Sequence, residues 1–202
     1  MPNWCSNYIT ITGDKKSIQL LTRVLEDIPQ EKRSDSIIFE TLIGREPEMS
    51  DTEYKSGGWY DANISWFGTK WDVSYNECQF QFTEDCIIMS PETAWSPPIG
   101  FGVRLHEKYG VNVELQYEEP GCDFCGRTTI ENQSVVEEDF NFLEGKYILD
   151  NESFWYEVDS DIEYAMDSDT SVDEFLRRFD FVSEEDLEEI RGMYENSLAE
   201  NK

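Results

Sequence analysis

Apolar and polar positions alternate along this chain with two different periods, and the changes of period mark out its elements. Tyr8-Ile9-Thr10-Ile11-Thr12 repeats with period two and stops at Gly13-Asp14, which predicts a strand ending in a turn. From Asp14 onward, Ile18, Leu21, Leu25 and Ile28 recur at three- and four-residue steps until Pro29, which predicts a helix with one apolar face. The apolar run Ser36 to Ile43 reads as a second strand, and the Gly- and Pro-bearing stretch Gly44 to Gly58 as a long loop. Ala62 to Phe67, Cys78 to Thr83 and Cys86 to Met89 read as further strands, the last two joined into a hairpin by Glu84-Asp85. After Ser96-Pro97-Pro98, Phe101, Leu105 and Tyr109 follow at four-residue steps up to Gly110, which predicts a second helix with a glycine stop. Val111 to Tyr117 alternates throughout and is read as a strand, with Arg127 to Val136 extending the same sheet.

The order strand, helix, strands, helix, strand predicts an α+β fold: a ferredoxin-like antiparallel sheet with two helices on one face. Near Asp139 the composition turns acid-rich, so the chain divides into residues 1–138, the ferredoxin-like domain, and 139–202, an acidic and mainly helical C-terminal region packed on or appended to it. Ser171 with Glu174 forms a capping pair ahead of Val172, Phe175, Leu176 and Phe179. Ser183 caps a last helix whose Leu187, Ile190, Tyr194 and Leu198 share one side. These apolar stripes, with Phe154, Trp155 and Tyr156, separate the region from a disordered acidic tail.

Charge changes the picture most. The chain carries 44 acidic and 16 basic side chains, a formal −28 on 202 residues, and residues 131–202 alone hold 23 acids and 5 bases. Nucleic acid and anionic membrane are poor direct partners, because phosphate binding requires Lys and Arg to displace counterions. A basic partner is the complement. No apolar stretch approaches the roughly 20 residues a membrane helix needs and the N-terminus lacks a secretory pattern, so a cytoplasmic protein is expected, with its five cysteines reduced.

Candidate chemistry is sparse. The single histidine, His106, lies amid Arg104, Glu107 and Lys108 and reads as a solvated helix residue, which leaves Ser or Cys nucleophiles without their usual base. No catalytic residue is assigned and an enzyme is not expected. Cys122-x-x-Cys125 has the spacing of half a zinc site, but no second pair accompanies it, so no metal is assigned. Gly57-Gly58 lacks a following Lys-Ser or Lys-Thr, and Gly100-x-Gly102 lacks a third glycine, so no nucleotide loop and no cofactor are assigned. The sequence from Asp167 fails as a calcium loop, with Val172 where Gly is needed and Arg178 where Glu is needed.

Four blocks stand out by their residues: Met1-Pro2-Asn3-Trp4-Cys5-Ser6-Asn7, Trp66-Phe67-Gly68-Thr69-Lys70-Trp71-Asp72, Thr93-Ala94-Trp95-Ser96-Pro97-Pro98, and Tyr117-Glu118-Glu119-Pro120-Gly121 with Phe124-x-Gly126. Over about residues 1–130 they resemble the YubB ferredoxin-like family of phage and plasmid proteins. The resemblance implies a ferredoxin-like fold and carriage on mobile elements, and inclines the functional expectation toward counter-defence; it transfers no established activity.

Two functional readings result. In the first, a carboxylate-studded face made of Asp159, Asp161, Glu163, Asp167 and Asp169, anchored by Trp155 and Tyr156, enters the nucleic-acid channel of a basic host protein such as a defence nuclease, as a non-enzymatic inhibitor. On a helix over residues 153–167, Asp159, Glu163 and Asp167 fall in one row about 5 to 6 Å apart. Plain solubility is the competing explanation for such charge. In the second, Asn3, Trp4, Lys70, Trp71, Asp72, Trp95 and Glu119 form a tryptophan-walled pocket for a small ligand or nucleotide derivative. In it Lys70 meets an anion and Asp72 or Glu119 accepts hydrogen bonds; the bland alternative leaves the indoles as plugs at strand ends.

Overall fold

The computed structural model describes residues 3–29, 37–47, 50, 52, 54–168 and 170–200. The chain forms two compact units, Met1–Asp139 and Phe140–Lys202. The first is built on a seven-stranded sheet in which β2 (Gln79–Phe82), β3 (Cys86–Ser90), β1 (Trp4–Thr12), β5 (Asn112–Glu119), β6 (Phe124–Glu131) and β7 (Ser134–Phe140) lie side by side in that order, while β4 (Glu92–Ala94) pairs with the start of β1. The β1–β3, β1–β4, β1–β5, β2–β3 and β5–β6 pairs are all antiparallel. β2-β3-β1-β5 is the ferredoxin-like core, and the β6–β7 hairpin adds two strands beyond it. That hairpin turns at Asn132 and Gln133, whose φ of 50° and 61° are both positive, as the twist of a two-residue hairpin turn demands.

Burial follows the predicted periods. Cys5, Asn7, Ile9 and Ile11 of β1 face inward, as do Val113, Leu115 and Tyr117 of β5. They meet Ile18, Leu21 and Leu25 of α1 (Lys15–Glu26) and Phe101 and Leu105 of a later helix in one core. Asp14 caps α1 by accepting from the Lys16 and Ser17 N–H groups, and the Ser17 hydroxyl, with these two bonds behind it, holds its carboxyl below the ordinary range.

Two strand expectations are corrected. The described part of the run Ser36 to Ile43 makes only a single bridge, Ile37 to Ser74, and then turns into helix α2 (Ile38–Ile43). Ile38, Phe39, Leu42 and Ile43 are all buried, a helical spacing that a short apolar run conceals. Ala62 to Phe67 belongs to helix α3 (Trp59–Phe67), stopped by Gly68 at φ 87°. The stretch expected as loop contains a π-helical turn, Tyr54–Gly58.

The next helix, α4 (Ile99–Tyr109), meets α3 through glycine. A Cβ on Gly100 would lie 2.7 Å from the Trp66 carbonyl oxygen and 2.9 Å from the Gly68 nitrogen, so the backbones touch there. Gly100→Ala is therefore expected to force the helices apart and destabilise the unit by about 1–3 kcal/mol, read as a lowered melting temperature.

His106 corrects another expectation. Its Nδ1 lies 2.7 Å from the Val111 carbonyl oxygen and its Nε2 accepts from the Gln133 N–H at 3.2 Å, so the ring ties α4 to the β6–β7 turn instead of standing in solvent.

The second unit is helical: α5 (Phe142–Leu149), α6 (Asn151–Asp167), α7 (Val172–Leu176) and α8 (Glu184–Glu200). Its core joins Phe154, Val158, Ile162 and Ala165 of α6 to Phe175, Leu176, Phe179, Ile190 and Tyr194. Ser171 caps α7 through the Glu174 N–H, and Ser183 caps the last helix through the Asp186 N–H. Among the described residues no helix is long and apolar enough to cross a membrane.

Candidate functional site

Helix α6 sorts its side chains sharply. Phe154, Val158, Ile162 and Ala165 point into the core, and at four-residue steps on the other side Asp159, Glu163 and Asp167 are exposed. Glu152 and Tyr156 share that outer face, and Tyr156 and Tyr164 are 71% and 73% exposed. Asp161 does not belong to it: it pairs with Arg178 at 2.8 Å and is mostly covered, burial raising its carboxyl while the guanidinium opposes the shift. Trp155 is half-buried against the core, with its Nε1–H donated to Asn151 at 3.2 Å, so it is wall rather than free anchor. Asp169 lies outside the described residues. Tyr164 was missed by sequence reasoning, although its helical offset from Tyr156 and Ser160 would have placed it outward.

Basic side chains of this unit are drawn to acids elsewhere: Lys146 to Asp150 at 4.0 Å, Arg178 to Asp161, and Arg191 to Asp173 at 3.4 Å. The row Asp159, Glu163, Asp167 takes part in none of these pairs. Like charges at this spacing cost a helix roughly 0.2–0.5 kcal/mol per pair.

In the first unit the tryptophan blocks do converge in part. Trp4 at the start of β1 and Trp71 beyond α3 lie 6.1 Å apart between ring centroids, tilted by 44°. The Lys70 ammonium rests 4.4 Å from the Trp71 ring centroid and 5.8 Å from that of Tyr60, which α3 brings to it and which lies in none of the elements the sequence pattern predicts. Trp95 adjoins them in the ladder, its N–H donating to the Asn3 carbonyl at 3.0 Å while Trp4 pairs with Ala94. Trp4, Trp71 and Trp95 are 49%, 37% and 47% exposed.

Two predicted members are diverted. Asp72 accepts the Phe39, Glu40 and Val73 N–H groups at 2.8, 2.7 and 2.6 Å, capping α2 from outside it. Burial pushes its carboxyl up to about 6 against the pull of those bonds. Glu119 is buried and accepts from Asn3 and from the Gly121 N–H at 3.4 and 3.0 Å. Desolvation raises its carboxyl, but the bonds from Cys122, Asn3 and Gly121 outweigh it and hold the group below the ordinary range. Asn3 and Glu119 thus brace the end of β5. Cys122 is exposed beside Asn3, whereas Cys125 is buried, and among the described residues no cluster of three or more His, Cys, Asp or Glu is placed to hold a metal.

A ferredoxin-like sheet extended by a hairpin, followed by acidic helices, defines the class. Residues 59–159, half of the chain, match the family described as the ferredoxin-like domain in Api92-like protein, and the chain belongs to that family. Among solved structures, the crystal structure of a protein api92 from Yersinia pseudotuberculosis is similar at 9% identity, covering 70% of this chain and 99% of that one, with a TM-score of 0.47. No curated protein matches the chain.

Proposed function

We propose that the chain is a non-enzymatic interaction protein whose acidic C-terminal unit occupies the basic nucleic-acid channel of a partner. The observation that carries this reading is the outer face of α6, where Asp159, Glu163 and Asp167 stand exposed in one row while Arg178 and Arg191 pair with other acids. Carboxylates one helical turn apart are spaced on the scale of successive phosphates, and exposed Tyr156 supplies an amphipathic contact beside them. Solubility alone asks only for net charge. It does not ask for like charges aligned at destabilising intervals around exposed tyrosines.

The resemblance to the YubB family supports carriage on a phage or plasmid and action in the host cytoplasm on a defence enzyme or another nucleic-acid-binding protein. The engagement of His106 by Val111 and Gln133 agrees with a role that uses no general base.

The triple variant Asp159→Asn, Glu163→Gln, Asp167→Asn is expected to weaken binding to a basic partner captured from host lysate at least tenfold, with the fall concentrated in the association rate, and to flatten its salt dependence. Unchanged capture by the triple variant removes the α6 face from the binding surface. Surface plasmon resonance at low and at physiological salt makes the measurement.

A further inference from the structure

The N-terminal unit holds a second feature that the acidic reading does not use. Trp4, Trp71 and Trp95 are large apolar side chains left more than a third exposed, yet the backbone beneath them is held with unusual care. Buried Asn63 donates to the Lys70 carbonyl at 2.9 Å, buried Thr69 to the Ala94 carbonyl at 3.0 Å, buried Thr93 to the Ser96 carbonyl at 2.7 Å, and Ser96 to the Gly68 carbonyl at 2.7 Å. The Thr69 and Ser96 bonds tie the segment 68–71 to the segment 93–96, while Asn63 holds the first segment to α3 and Thr93 closes the second on itself. Buried polar side chains that are fully satisfied fix one geometry, and here the geometry they fix is that of an exposed aromatic surface. Trp95 adopts φ 75°, a left-handed conformation costly for a bulky residue and maintained only where surroundings impose it.

Lys70 gives the surface its polarity. In a unit with 25 acids and 11 bases, its half-buried ammonium forms no ion pair among the described residues and lies instead against the rings of Trp71 and Tyr60. A cation set on indole and phenol rings keeps its donors for an incoming anion, while exposed Trp4 and Trp71 offer flat faces beside it.

We infer that Trp4, Lys70, Trp71 and Tyr60, flanked by Trp95, form a binding site for a small ligand that joins a flat aromatic ring to a single anionic group, of the nucleoside monophosphate class. The ring stacks on an indole and the anion meets Lys70. A polynucleotide does not suit the site, because one cation faces many phosphates in a surrounding field of carboxylates.

The experiment follows the six indole N–H signals in 1H–15N spectra of the full chain during titration with AMP, GMP, CMP and UMP, and separately with adenosine and with inorganic phosphate. At least one nucleotide is expected to shift the Trp4 and Trp71 signals saturably while Trp66 and Trp155 stay in place, with adenosine and phosphate each binding at least tenfold more weakly. Lys70→Gln and Trp71→Ala should each weaken binding about tenfold or more. If Trp71→Ala fails to fold, Trp71→Leu and the Lys70→Gln result carry the test. No saturable shift with any nucleotide up to about 10 mM overturns the inference. So does equal affinity for phosphate alone, or undiminished affinity in folded Lys70→Gln. The acidic face of α6 is untouched by these variants, so either reading fails without the other.

Discussion

Replacing Phe154 with alanine is expected to destabilise the C-terminal unit by about 3–5 kcal/mol, the cost of emptying a fully buried aromatic site. Its ring lies 5.1 Å from that of Tyr147, 5.3 Å from Trp155, 6.2 Å from Phe179 and 6.4 Å from Phe181, all edge-on, so truncation removes the ring that links α5, α6 and the turns after α7. A compact unit of the size of Phe140–Lys202 has a total stability of roughly 3–9 kcal/mol, so the loss is comparable to the whole. Amide exchange in α6 and α8 should approach the unprotected rate in Phe154→Ala. Tyr156→Ala, at an exposed position of the same helix, should change stability by no more than about 0.5 kcal/mol. Protection retained in Phe154→Ala would mean that the acidic row is held by something other than this core.

The second large effect lies at Asp72. Asp72→Ala leaves the Phe39 and Glu40 N–H groups at the start of α2, and that of Val73, without their acceptor and is expected to cost about 3 kcal/mol. The pH dependence has a definite sign. Burial raises the folded carboxyl from the ordinary 3.8 to about 6, so between these values the folded state holds a proton that the unfolded state has lost. The group's contribution is full below about 3.8 and is lost as pH rises through about 6, an interval of about two pKa units or about 3 kcal/mol at most. The difference between wild type and Asp72→Ala in urea melts should therefore be larger at pH 5 than at pH 7.5. A difference that grows toward pH 7.5 would show that the three N–H bonds win over burial and that the ionised form is the favoured one.

Much of the sheet unit was legible because period and punctuation agreed. Tyr8 to Thr12, Ile18 to Ile28, the Glu84-Asp85 turn, Phe101 to Gly110 and Val111 to Tyr117 each carry a repeat closed by a glycine, proline or acidic turn. The two errors share a physical origin. Ile37 to Ile43 is too short for its period to be decided locally, and what makes it helical is the Asp72 carboxylate more than thirty residues away, which supplies the acceptors its first N–H groups need. In α3 the stop at Gly68 was readable, but Tyr60 gained a role only once nine residues were seen to coil and bring it to Lys70.

The same long-range bonds explain the mixed outcome at the sites. Trp4, Lys70 and Trp71 meet as their residue types suggest, whereas the carboxylates of Asp72 and Glu119, expected as ligand acceptors, are held by backbone N–H groups. On α6 the row Asp159, Glu163, Asp167 follows from spacing alone. That Asp161 turns to Arg178 and Trp155 lies against the core depends on α7 and the turn after it, which no local pattern announces.

The most direct test of the central claim is competition. With a basic nucleic-acid-binding partner in hand and a labelled duplex bound to it, fluorescence anisotropy follows release of the duplex as this protein is added. Stoichiometric release at physiological salt is expected from the wild type and from Lys70→Gln, and release only at a concentration at least tenfold higher from Asp159→Asn, Glu163→Gln, Asp167→Asn. A ternary complex in which the partner keeps its duplex, or release by the neutralised variant at the wild-type concentration, would contradict that claim.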